Sequence, residues 1–265
     1  MLERGGFFRA SKDRYFTALV LIAIAAAVVL IDNFTLTWAI LGVCFIVGFM
    51  EAQKLFNIKS LAMLPIAGAM WIAAYFMTDP EDLIFLILLV YGSYLAFKNK
   101  VALAPEEGGK GMKDLIIFIY PTAPMLFMLS LYKDYGMASL FWLIVIVAVT
   151  DTAAYFTGKA VGKVPFSPAS PNKTLEGVLG GIIVATIVGT LMGLGFLPFF
   201  KALLIALAVS VSSIFGDLFE SSLKRQAGVK DSGTFLPGHG GILDRLDGHM
   251  FGAAAMTVLL RGLYS

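Results

Sequence analysis

The sequence predicts an all-α integral membrane protein: a polytopic bundle of about nine transmembrane helices with a polar site facing the cytoplasm. Three observations carry this expectation. The chain is 58% hydrophobic and only 14% charged, against about 45–50% and about 25% in soluble domains. Its mean hydropathy is +0.85. The apolar residues fall in runs near the roughly 17–25 residues that cross a bilayer, without the alternation of barrel strands.

The runs read in order as follows. The first, about 15–31, follows the basic stretch "MLERGGFFRASKDRYF" and contains "AIAAA". It reads as an uncleaved helix rather than a signal peptide, because the charge alternation further along needs no cleavage. The stretch before it mixes Phe with Arg and Lys, and reads equally as an interfacial segment or as a charged flank. Runs follow at about 35–51, 60–77, 82–97 and 114–132. Cys44, the only cysteine, lies inside one of them and reads as a small apolar packing residue. The last four runs are about 137–157, 178–198, 202–222 and 248–264. The connections "DN", "TDPED", "KDYG" and "LPFFK" are too short for an outer domain, and "APEEGGKG" at 104–111 reads as a linker. The whole of 1–265 is one membrane domain, with N-terminal helices to about 132 and a catalytic half from about 137.

Basic residues set the orientation. With the N-terminus cytoplasmic, all of the 20 Lys and Arg except Lys133, Lys201 and Arg261 fall on the cytoplasmic side, as the positive-inside rule expects. The C-terminus is then outside, and the polar segments 98–113, 158–177 and 223–247 are cytoplasmic. The expected location is the cell inner (plasma) membrane.

Chemistry concentrates in two of these segments. Asp217, in "SSIFGDLFESSLKR", sits in a membrane helix, where a central charge costs about 2.5–3.5 kcal/mol. It reads either as an ion-pair partner of Lys224 or Arg225, or as a metal ligand or substrate contact. In "GILDRLDGHM", Asp244 and Asp247 stand three apart, which places both on one face of a helical first turn. Helix-start acids often only cap. Two on one face beside Asp217, Asp231, Arg245 and "GHGG" instead suggest a hard cation such as Mg²⁺, which takes one or two carboxylates and fills its shell with water and phosphate oxygens. His239, Gly240 and Gly241 lie in "LPGHGG", where glycine lets backbone amides approach an anion. Lys224, Arg225, Lys230 and Arg245 add phosphate-binding charge. Upstream, "SPASPNKTLEG" supplies Ser170, Lys173 and Thr174, with Thr174 a candidate helix cap. It lacks Walker A spacing. Gly158 and Gly162 read as close-packing positions. One Cys and two His exclude a Cys-rich zinc site.

From Ser221 to Asp247 the chain resembles the signature of the phosphatidate cytidylyltransferases. The matching positions are Ser221, Leu223, Lys224, Arg225, Lys230, Asp231, Gly233, Leu236, Pro237, His239, Gly240, Gly241, Ile242, Asp244, Arg245, Leu246 and Asp247. "SPNKTLEG" looks like the family's second motif region, while the N-terminal half fits only in its hydrophobic character.

The resemblance implies that CTP and phosphatidate give CDP-diacylglycerol and pyrophosphate, with Mg²⁺ as cofactor; a second cation and a homodimer are left open. It implies catalytic roles for Asp217, Asp244, Asp247, Lys224 and Arg245. Ser170, Lys173, Thr174, Arg225, Lys230, His239, Gly240 and Gly241 would bind substrate. Asp217, Asp244, Asp247 and Asp231 would hold metal. The partners are the two substrates and the bilayer, with no nucleic acid. The expected site is a polar cavity between the sixth, eighth and ninth runs, open sideways to the bilayer. The competing readings are a CTP-dependent lipid-alcohol kinase and an ion-coupled transporter using Asp151 and Asp217.

Overall fold

The structure, a computed structural model, describes residues 3–58, 63–97 and 109–264. These form eight helices: α1 (Glu3–Ile31), α2 (Phe34–Leu55), α3 (Met63–Phe76), α4 (Asp82–Phe97), α5 (Gly109–Val161), α6 (Leu175–Gly193), α7 (Phe199–Gln226) and α8 (Leu243–Tyr264). A short antiparallel hairpin, β1 (Pro165–Ser167) and β2 (Ser170–Thr174), joins α5 to α6. Lys59, Lys98, Lys100 and most of the predicted linker lie outside the described residues; residues 109–111 of that linker begin α5.

The chain is an all-α membrane protein apart from the hairpin, but the expected nine spans are not what it shows. Four stretches are long and apolar enough to cross a membrane: Phe34–Leu55, Leu115–Val161, Leu175–Gly193 and Phe199–Gln226. Tyr15–Ile31, Met63–Phe76 and Asp82–Ser93 are apolar but shorter. Two of the predicted runs, 114–132 and 137–157, share the single element α5. Its 53 residues would run about 80 Å if straight, at about 1.5 Å per residue. Gly136 breaks it with φ 73° and ψ −174°, a conformation that residues with a Cβ rarely adopt. Ser139 braces the break by donating to the carbonyls of Leu131 (3.0 Å) and Gly136 (2.7 Å).

The second arm of α5 forms a core with α6, α7 and α8, and α2 packs on the same helix. Lipid supplies little hydrophobic drive between membrane helices, so close approach matters more. A stripe of small residues on α6, Gly177, Gly181, Ala185, Gly189 and Gly193, recurs every four positions and is buried. A Cβ on Gly181 would lie 2.7 Å from the Thr150 carbonyl oxygen and 2.9 Å from Ala154 Cβ. Trp142 donates its indole N–H to the Gly189 carbonyl at 2.8 Å. Gly158 also packs closely, against Thr174 and Gly177, as expected. On the other side of the bundle, Trp38 and Trp71 exchange indole-to-carbonyl hydrogen bonds of 3.0 and 3.2 Å, tying α2 to α3.

The end opposite the site is closed by Arg261. Its guanidinium pairs with Asp79 (2.8 Å), Asp134 (2.7 Å) and Glu81. Lys133 donates to the carbonyls of Ala74, Tyr75 and Met77, satisfying the open C-terminus of α3.

The α6 stripe makes a direct prediction. Gly181→Leu overpacks the α5–α6 seam and costs about 1–3 kcal/mol. Gly68→Ala, where an added Cβ meets nothing within 4 Å, leaves stability unchanged or slightly raised. Thermal unfolding in detergent measures both. Equal midpoints for the two variants would contradict the seam's tightness.

Candidate active site

The polar segment 227–242 is a sequence of glycine-enabled turns. α7 ends at Gln226 with Ala227 as its cap, and Gly228 follows at φ 71°. The amides of Gly228 and Val229 return to the carbonyls of Arg225 and Lys224, a glycine-terminated helix end. Further on, His239 N–H donates to the Leu236 carbonyl at 2.9 Å, with Gly238 at φ 74°. Pro then Gly at the two central positions is the composition of a type II turn, which explains "LPGH".

A residue outside both polar segments organises this loop. Glu51, near the end of α2, is only 3% exposed. Its carboxylate accepts from the amides of Ile242 (3.1 Å) and Leu243 (3.0 Å) and from the Ser232 hydroxyl (3.2 Å). It is a carboxylate at the N-terminus of α8, where free N–H groups and the helix dipole favour negative charge. Gly233 and Gly241 lie so close that a Cβ on either would overlap it. Sequence reasoning missed Glu51, because a lone Glu at the end of an apolar run looks like a flank.

Asp244 stands in the first turn of α8, with both oxygens engaged. Oδ1 accepts from Lys224 Nζ at 2.6 Å. Oδ2 accepts from Gly241 N–H (2.7 Å), Ser232 N–H (2.9 Å) and the Ser232 hydroxyl (3.0 Å). This carboxylate holds the loop and aims Lys224. The Gly241 amide, expected to face an anion, is used on Asp244. Gly240 adopts φ 82°, and a Cβ there would lie 2.6 Å from Asp244 Oδ2.

One turn further, Asp247 accepts from its neighbour Gly248 N–H at 2.7 Å. Beside it in the interior is Glu220 of α7, fully buried. The Glu220 carboxyl lies against that of Asp247, with no N–H donor within hydrogen-bond distance among the described residues; Lys224 Nζ lies 3.6 Å away. Sequence reasoning passed over Glu220 in favour of Asp217, three residues earlier on the same helix.

Asp217 pairs with neither Lys224 nor Arg225. Its partner is Lys173, delivered by β2, and Ser221 donates to its other oxygen at 3.2 Å. The hairpin makes this possible: Pro165 lies opposite Thr174 and Ser167 opposite Ser170. Glu176 pins its base by accepting from the amides of Lys163 (3.0 Å) and Val164 (3.2 Å). Thr174 caps α6 as expected, accepting from Gly177 N–H at 3.2 Å.

Lys173 and Asp217 form part of the wall of a cavity of about 410 Å³, with Asp151, Tyr155, Lys159 and Asn172 among the other lining residues. It lies between the second arm of α5, the β2–α6 junction and α7. The expectation of a cavity bordered by the last helix is thereby corrected. None of the lining residues comes from α8, although Asp247 lies within electrostatic reach of Asp217 and Asp151.

The remaining predicted residues are not among those that line this cavity. Arg225, Lys230, Asp231 and Arg245 are exposed and Ser170 half-buried. Arg245 directs a two-pronged contact at the His239 carbonyl, 3.0 and 2.8 Å, and Arg225 reaches Ala169 O at 3.4 Å. Among the described residues, no three His, Cys, Asp or Glu side chains converge as a ready-made metal cage, so Asp217, Asp231, Asp244 and Asp247 are not gathered into one cluster. The bare Glu220 oxygens beside Asp247 fit a cation that brings most of its own oxygen shell, as Mg²⁺ does.

The role of Glu51 is testable. Glu51→Ala strands two amides and a hydroxyl and costs on the order of 2–5 kcal/mol. The variant melts at lower temperature in detergent and loses turnover, although Glu51 touches no substrate. An unshifted midpoint would remove Glu51 from this role.

Residues 12–263 match the profile of the cytidylyltransferase family. The chain is 42% identical to the phosphatidate cytidylyltransferase of Helicobacter pylori strain J99, over 94% of this chain and 91% of that one. It is 41% identical to the Thermotoga maritima protein of the same name, over 55% of this chain and 57% of that one. The Bacillus subtilis protein of that name is 48% identical over 44% of this chain and 45% of its own. A match across nearly the whole length places this chain in the cytidylyltransferase family.

Proposed function

We propose that the protein is a nucleotidyltransferase that joins CTP to phosphatidate, giving CDP-diacylglycerol and pyrophosphate. The observation that carries this reading is the pairing of two candidate lysines with carboxylates at the polar end of the bundle. Lys173 meets Asp217 and Lys224 meets Asp244. Both cations are held in place beforehand, and both can turn to substrate phosphates. The names of the full-length relatives support the same reaction.

The chemistry needs little from the protein beyond positioning and charge. An oxygen of the lipid phosphate attacks the α-phosphorus of CTP. The bond from that phosphorus to the bridging oxygen of the β-phosphate breaks, and its electron pair leaves with pyrophosphate. A phosphate monoester has a second pKa of about 6, so the nucleophile is already ionised near neutral pH and no general base is required. Lys173 and Lys224 offset the repulsion between the two anions. Arg245, fixed by the His239 carbonyl, suits bidentate contact with phosphate. Glu220 and Asp247 would hold Mg²⁺, which would supply charge neutralisation to the phosphates. The distribution of basic residues supports a site on the cytoplasmic face of the inner membrane, with the N-terminus cytoplasmic and the C-terminus outside.

Purified full-length protein, CTP labelled at the α-phosphate, phosphatidate and Mg²⁺ test the reading. Label enters the lipid phase with one pyrophosphate released per turnover. Transfer of a γ-phosphate label to a lipid alcohol, with CDP released, would replace the proposal with a kinase. Asp217→Asn and Asp247→Asn keep the side-chain shape and remove the charge, so each lowers turnover at least a hundredfold while the protein still inserts. Near-normal turnover in either takes that residue out of the site.

Cysteines placed between 224 and 248 report the orientation. A membrane-impermeant thiol reagent labels them from the cytoplasmic side, and CTP with Mg²⁺ protects some. Labelling from the outer side would reverse the assigned topology.

A further inference from the structure

A second cavity adjoins the carboxylates from the lipid side. It measures about 250 Å³ and is lined by Ile116, Ile119, Tyr120, Ala123, Pro124, Phe219 and Phe251. Apart from the Tyr120 hydroxyl these are apolar side chains, and Ile116 and Phe219 are exposed on the flank of the bundle. The rings form a continuous wall: Tyr120 to Phe219 at 5.1 Å and Phe219 to Phe251 at 5.6 Å between centroids.

The inner end of this groove meets the site. Phe219 is the neighbour of Glu220 on α7, and Phe251 lies one turn beyond Asp247 on α8. Tyr120 sits between groove and carboxylates. The residue is only 5% exposed, and its buried hydroxyl has no hydrogen-bond partner among the described residues. That hydroxyl lies in the field of Glu220, Asp247, Asp244 and Asp217. A buried donor left unsatisfied costs about 1–3 kcal/mol, so an orphaned tyrosine hydroxyl at the junction of an apolar groove and a phosphate site calls for a ligand with both characters. A lipid phosphomonoester has them, with tails that stay in apolar surroundings and a charged head at the bundle's polar end.

Building on the proposed reaction, we infer that the groove between the first arm of α5 and the α7–α8 pair is the phosphatidate subsite. One acyl chain lies against Ile116, Ala123, Phe219 and Phe251, and the Tyr120 hydroxyl donates to the lipid phosphate. The nucleotide takes the separate cavity lined by Lys173 and Asp217. The two substrates then approach the carboxylates from opposite sides of α7, one from lipid and one from water.

Kinetics of the full-length protein in mixed micelles test this. Tyr120→Phe preserves the ring and removes the hydroxyl. It raises the KM for dioleoyl-phosphatidate roughly tenfold, the loss of one hydrogen bond to a charged group, and leaves the KM for CTP unchanged. Ala123→Trp fills the groove and lowers the preference for dioleoyl over dihexanoyl substrate at least fivefold. A phosphatidate with a photoreactive diazirine midway along one acyl chain, irradiated without CTP, labels Ile116, Ala123 or Phe251. Labelling needs no turnover, so it decides the groove even if wild-type protein yields no CDP-lipid, a result that sinks the reaction instead. An unchanged phosphatidate KM in Tyr120→Phe, or labelling confined to other helices, overturns the subsite.

Discussion

The site depends on one buried carboxylate. Glu51 enters the interior on an apolar helix, and burying a charge without partners is prohibitive. Its three donors come from Ser232 and the start of α8, so the loop has to fold onto it. With the loop held there, Ser232 and Gly241 face Asp244, Asp244 faces Lys224, and Asp247 is turned toward Glu220. The glycines at 233, 240 and 241 leave room for Glu51 and Asp244, and that close approach explains them better than freedom to bind phosphate.

The arrangement also separates two uses of acidic residues. Asp244 is saturated by internal donors and acts as a bracket. Asp247 and Glu220 are undersupplied with donors, and Asp217 has one lysine and one serine. A cation or a cationic arrangement of substrate and lysine can relieve the second group but has nothing to offer the first. Phosphates arriving near Lys173 and Lys224 compete with carboxylates already in place, which keeps the lysines charged and oriented without a large reorganisation at the moment of reaction.

Much of this was legible in the sequence, for identifiable reasons. Apolar runs and Gly/Pro punctuation show where helices lie, and Thr174 announces its cap because N-capping is a local interaction. The count of spans was less legible: the break at Gly136 leaves 114–132 and 137–157 on one element, and the weight of the polar first turn keeps α8 out of the long apolar set. The hairpin at 165–174 was invisible because its strands are very short and its composition is that of a loop. The partners of Asp217 and the role of Glu51 were not legible either. Lys173 is 44 positions from Asp217, and Ile242 is 191 positions from Glu51; no local pattern links them. For the same reason the boundary near 132–137 does not isolate the chemistry, since Glu51 reaches the site from the first part of the chain.

Both ends of α8 complete ion networks begun by earlier helices: Glu51 awaits its first residues, while Asp79, Glu81 and Asp134 await Arg261. Synthesis proceeds at about 5–20 residues per second, so the Glu51 carboxylate spends on the order of 10–40 s in a growing chain before its acceptors' donors exist. During that interval α2 carries an uncompensated charge and is poorly suited to lie deep in lipid. Until α8 is made, the acids at both ends of the bundle lack the partners that the folded chain gives them.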